Sequence, residues 1–72
     1  MGTVAAIGAR HRVAGFALAG VAVHPAATPA EVVRAWRDLP GDVELVIVTE
    51  AAAAAIAAEG AGLAGRLTAV LP

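Results

Sequence analysis

The chain of 72 residues contains no cysteine, no serine and no lysine, and its only aromatics are one phenylalanine and one tryptophan. Without cysteine there is neither a disulfide framework nor a thiolate metal site. Without serine or cysteine, a nucleophilic hydrolase would have only threonine to work with. Five arginines against six acidic residues leave a net charge of −1, which builds no basic surface for a nucleic-acid backbone. The one basic cluster, Arg10-His11-Arg12, lacks the interleaved aromatics that single-strand binding uses. His11 and His24 sit at the ends of different segments with no third ligand in view, so a metal site is not expected. Neither a Gly-x-Gly-x-x-Gly run nor a phosphate-loop Gly-Lys-Ser/Thr occurs, so no nucleotide or other cofactor is expected. The chain does not read as an enzyme.

What is present is apolar and small. The composition is 60% hydrophobic, but much of this is alanine, which buries little area per residue, so the core must be thin. Residues 1–72 form one domain near the lower size limit for a self-sustaining core. Stability at the usual per-residue figure is roughly 4–11 kcal/mol. A core this thin is a reason to expect a partner.

A mean hydropathy of +0.80 raises the question of a membrane. Val13 to Ala30 carries no formal charge and nearly has the length to span a bilayer. Pro25, Pro29, Gly15, Gly20 and His24 interrupt it. As a signal peptide it would have the apolar Val4 to Ile7 ahead of its arginines and would leave a remnant too short to fold. Apolar strands in a cytoplasmic domain explain the stretch better.

The strongest strand is Val43 to Thr49, β-branched and apolar on both alternating faces, the pattern of a strand covered on both sides. Thr3 to Ile7, ending at Gly8, reads as the first strand, and Val21 to Val23 as a brief edge strand before a turn at His24 to Ala27. Between them a helix is predicted from about His11 to Ala19, with Val13, Phe16 and Ala17 on one face. Gly15 inside it marks close approach of another backbone, and Gly20 stops it. Thr28-Pro29-Ala30-Glu31 is a capping box opening a helix to about Leu39, with Val32, Ala35, Trp36 and Leu39 as its buried stripe. Ala51 to Ala58 forms the third helix, Gly60, Gly62 and Gly65 break it, and Leu67 to Leu71 is the last strand. Alternating strands and helices predict an α/β fold: a small, doubly wound, four-stranded parallel sheet with helices on both faces. The short second and half-polar fourth strands belong at the edges, giving order 2-1-3-4, the first part of a flavodoxin-like sheet.

Ile7-Gly8, followed by Gly15-Phe16-Ala17-Leu18-Ala19-Gly20-Val21, resembles the N-terminal signature of the F subunit of the V-type (archaeal-type) ATPase. Asp42 through Thr49-Glu50 resembles that family's apolar strand ending in Ile-Thr-Glu, and Val70-Leu71-Pro72 its last strand. The resemblance implies a non-catalytic component of the central stalk of a rotary proton-translocating ATPase, docked on the stalk's coiled-coil D subunit. It would lie in the cytoplasm, peripheral to the membrane through that complex. Two departures stand out. The acidic residue the family places after Ile-Gly is Ala9 here, and the sequence closes at Pro72 without the family's C-terminal extension. A chain lacking that extension is expected to dock yet not modulate the catalytic head.

In an open α/β sheet, ligands bind beyond the strand C-termini where the strand order reverses. That crevice would bring together Arg10, His11, Arg12 and Thr49, a set able to hold an anion beside a helix N-terminus. A phosphorelay there would need acidic residues where Gly8-Ala9 and Thr49 stand, so that chemistry is absent. Phe16, Leu18 and Trp36 are candidate partner anchors, since aromatics dominate interface hot spots. In a domain short of large side chains, Phe16 and Trp36 are more naturally core, which leaves Leu18 as the better anchor. The alternative to a stalk component is a free-standing module that binds an anionic ligand in the crevice or associates with itself.

Overall fold

Four strands run, in chain order, over Thr3–Gly8 (β1), Ala22–Pro25 (β2), Val43–Val48 (β3) and Leu67–Val70 (β4). The helices are Arg10–Val13 (α1), Pro29–Arg37 (α2) and Glu50–Ala58 (α3), with a 310 helix over Ala14–Ala19. The computed structural model describes residues 3–59 and 67–71. The expected breaks at Gly60, Gly62 and Gly65, and Pro72 of the family resemblance, lie outside the described residues.

All three strand pairs are parallel and the order is β2-β1-β3-β4, as the alternation of elements predicts. Register places Ala5 beside Val46 and Ile7 beside Val48 on one face of the sheet. The helices α2 and α3 cover that face. Val32 and Trp36, with Leu39 just beyond α2, join Ala52, Ala55 and Ile56 of α3 in one cluster with those four strand residues. A shift of register between Thr3 and Val4 carries Val43 into the same cluster. Among the described residues, no fully buried side chain is larger than Ile7 or Ile56. The core is thin, as the alanine content implied.

Local sequence explains why α2 forms where it does. Thr28 Oγ1 accepts the Glu31 N–H at 3.2 Å, and Glu31 Oε1 accepts the N–H groups of Thr28 at 3.2 Å and Ala27 at 2.7 Å. Pro29 fills the first helical turn, where its missing N–H costs nothing. Val33 is buried too, beyond the stripe read from the sequence.

Ala6, one residue out of step with Ala5 and Ile7, points to the opposite face and is fully buried there, as is Val13. On this side α1 and the 310 helix pack against β1 and β2. Leu45 and Ile47 of β3 share the face and are only half-buried. Coverage of β3 on both sides is therefore corrected: it is complete on the α2/α3 side and partial on the other, where the described helical cover lies over β1 and β2.

The single helix expected over His11 to Ala19 is two short pieces instead, α1 and the 310 helix. Ala9 offers no capping side chain, and the 310 helix buries no residue that would hold regular α-turns to the sheet. Gly15 lowers helix propensity in the middle. Among the described residues no neighbour lies within 4 Å of a Cβ built at Gly15, which gives no support to close backbone approach as its role. Gly20 does end the segment, in the left-handed conformation with φ 82°. His24 and Pro25, expected in a turn, extend β2, because pairing with β1 continues through the Ala26 N–H to the Gly8 carbonyl at 2.8 Å.

Trp36 is 8% exposed and is the largest side chain in the main cluster. Trp36→Ala should cost about 3–5 kcal/mol, a large part of the total. Chemical denaturation checks this; a loss below about 1 kcal/mol would mean the indole contributes little to the core.

Candidate functional site

The C-terminal ends of β1 and β3 open into a crevice of about 450 Å³. His11 and Arg12 of α1 line one wall; the entry to α2 at Ala26 to Pro29 and the start of α3 at Thr49 to Ala52 line the rest. The reversal of strand order at β1 and β3 puts the crevice where the topology predicts. The structure brings together His11, Arg12 and Thr49. Arg10, grouped with them from the sequence, is exposed and does not line the crevice.

Thr49 is the one buried polar residue among those described, at 5% exposure. Its Oγ1 accepts the Ala52 N–H at 3.1 Å and caps α3. The Thr49 N–H donates to the Ile7 carbonyl at 3.3 Å, tying the end of β3 to β1. Its side chain lies over Gly8. A Cβ built on Gly8 would come within 3.0 Å of Thr49 Oγ1 and 3.2 Å of its Cβ, and closer still to Cγ2. This packing, rather than a special backbone conformation, is why the first strand ends in glycine.

The chemistry open to the crevice is limited. Both neighbouring helix starts are already capped from within, α2 by Thr28 and Glu31 and α3 by Thr49. The Glu31 carboxylate occupies the place at α2 that an outside anion would take. Glu50 brings a carboxylate to the lining itself. Arg12 supplies positive charge to the same lining. The Thr49 hydroxyl is buried and engaged as a cap, an unsuitable setting for a nucleophile.

The partner candidates divide. Trp36 is buried in the α2 core, while Leu18 stands 95% exposed on the 310 helix. Phe16 is half-buried and outside the main cluster, which corrects its reading as core; the 310 helix buries none of its residues. Sequence reasoning did not single out Leu67, which is 73% exposed, or its neighbours on the open half of the sheet. The spacing of Leu67 and Ala69 on one face of the last strand was the available signal.

Gly8→Ala should destabilise the fold by about 1–3 kcal/mol through overpacking against Thr49. Thr49→Ala should itself cost about 1 kcal/mol as a lost cap. Combined, the two should show a favourable coupling of at least about 0.5 kcal/mol in a denaturation cycle, because truncating Thr49 makes room for the new methyl. Strict additivity would contradict this account of Gly8.

Comparison with known proteins returned no matching curated protein and no matching solved structure. A model of one protein family did match, described as the ATP synthase (F/14-kDa) subunit, and it covers residues 4–72. Those residues take in β1 from Val4 onward, the other three strands and all three segments that carry the resemblance. The chain belongs to the family of the ATP synthase (F/14-kDa) subunit.

Proposed function

We propose that the chain is a non-catalytic component of the central stalk of a rotary V-type proton-translocating ATPase. In this reading it docks on the stalk's coiled-coil D subunit and contributes to rotational coupling. The observation that carries the reading is the family match across residues 4–72. The position of the resembling segment supports it further. The Gly15 to Val21 run lies largely on the surface, with Leu18 outward, so its side chains do little for this domain's own core. A recognisable apolar run that is not spent on packing is suited to contact with another protein of the complex.

A non-catalytic role fits the chemistry of the crevice, where the one buried hydroxyl is a helix cap. No described helix is long and apolar enough to cross a membrane, so attachment in this reading runs through the complex.

Calorimetric titration against the D subunit of the same organism tests the proposal. Binding at tens of micromolar or tighter, about −6 kcal/mol or better, is the expected result. ATP should give no saturable heat. Absence of binding to the D subunit at those concentrations, together with a saturable small anion whose affinity falls on Arg12→Ala, would overturn the stalk reading in favour of a free-standing module.

A further inference from the structure

We propose that the 310 segment Ala14–Ala19 is a two-state strut, an α-helix that the edge strand β2 holds in a longer form and that loosens β2 when it rewinds. The proposal concerns the chain by itself and stands apart from the stalk reading. At six residues the segment exceeds the roughly three or four that 310 helices usually reach. Both of its ends are built for an α-helix. At the start, the Val13 N–H donates to the Ala9 carbonyl at 3.2 Å and the Ala14 N–H to the Arg10 carbonyl, each an α-type bond. At the end, the Val21 N–H donates to the Phe16 carbonyl at 3.3 Å and the Gly20 N–H to the Ala17 carbonyl at 3.1 Å. With Gly20 left-handed, that pair of bonds is the stop motif of α-helices.

Anchorage keeps the middle long. Val13 is fully buried, which fixes one end against the sheet. Only Gly20 and Val21 separate the other end from β2, and both are engaged in the stop motif, so the connection has no slack. In turn β2 is paired to β1, from Ala22 beside Ala5 to Pro25 beside Gly8. A 310 helix rises about 2.0 Å per residue and an α-helix about 1.5 Å, so rewinding the segment shortens it by about 3 Å. That is nearly one residue of strand. With four residues and a place at the edge, β2 is the element that gives. Rewinding also removes about 20° of turn per residue, which swings the exposed Leu18 by about 100° about the axis relative to Val13. The direction of Leu18 and the grip of β2 are thus one equilibrium, and a contact made at either is felt at the other. Gly15 sets the balance. Its φ is not positive and a Cβ there meets nothing among the described residues, yet glycine disfavours an α-helix about fivefold relative to alanine.

Gly15→Ala tests the strut, read by NMR contacts over residues 14–19 and by native-state amide exchange. Contacts from each Cα–H to the N–H four residues on, which mark an α-helix, should replace the contacts two residues on that mark a 310 helix. The Ala26 amide, which donates to the Gly8 carbonyl at 2.8 Å beside β2, should exchange up to about fivefold faster. The Thr49 amide, which ties β3 to β1, should keep its rate. A glycine inserted between Val21 and Ala22 adds about 3.3 Å of chain. Combined with Gly15→Ala, it should keep the α contacts and restore the protection of Ala26. Persisting 310 contacts in the Gly15→Ala chain, α contacts with unchanged Ala26 exchange, or equal acceleration at Ala26 and Thr49 would each overturn the proposal. An insertion that folds but leaves Ala26 unprotected overturns it too. Should the inserted chain not fold, the comparison of Ala26 with Thr49 in the Gly15→Ala chain decides alone.

Discussion

One residue, Thr49, holds the two central strands and the third helix in a single arrangement. Its N–H reaches the Ile7 carbonyl, its hydroxyl receives the Ala52 N–H, and its carbonyl receives the Ala53 N–H at 2.9 Å. Its side chain rests on the bare backbone of Gly8. The contact works only with glycine on one side and a β-branched cap on the other. It fixes how far β1 and β3 run together before the chain turns into α3. The position of Ile56 against Ile7 and Val48 in the core follows from that turn.

Small side chains make this precision matter. A core whose largest fully buried members are isoleucines and valines has little volume with which to absorb misplacement. Alanines of α3 let that helix lie close to the sheet, but each contributes little buried area. Trp36 supplies much of what they do not. The domain thus concentrates its stability in a few positions on one face of the sheet. On the opposite face, by contrast, the helical cover among the described residues lies over β1 and β2.

The parts of this fold that were legible in the sequence are those set by near neighbours. Thr28, Pro29 and Glu31 specify the start of α2 within four consecutive residues, and the structure reproduces every bond that spacing implies. The strand order followed from length and polarity, since the short segments went to the edges. What was not legible depends on residues distant in the chain. The missing cap at Ala9 and the glycine at 15 weaken the segment locally, but that no residue of the 310 helix would be buried is not written near them. Gly8 was visible as the end of a strand, but its reason lies in Thr49, at the end of another strand. The crevice was placed correctly by topology. Which arginine faces it was not, because Arg10 and Arg12 differ only in how a four-residue helix happens to turn.

The two borders of the sheet are unequal in a way that bears on how the protein behaves when crowded. Just beyond β2 the Ala26 N–H turns inward to Gly8, so the alternate residues Val23 and Pro25 face outward. Proline has no N–H, which leaves Val23 as the one outward donor of that short strand. Just beyond β4 the Leu71 N–H turns inward to Val48, so Val70 faces out, and the strand carries no charged side chain. Ribbon growth from chain to chain needs two competent borders on every molecule. The proline at β2 weakens one of the two, which disfavours such growth.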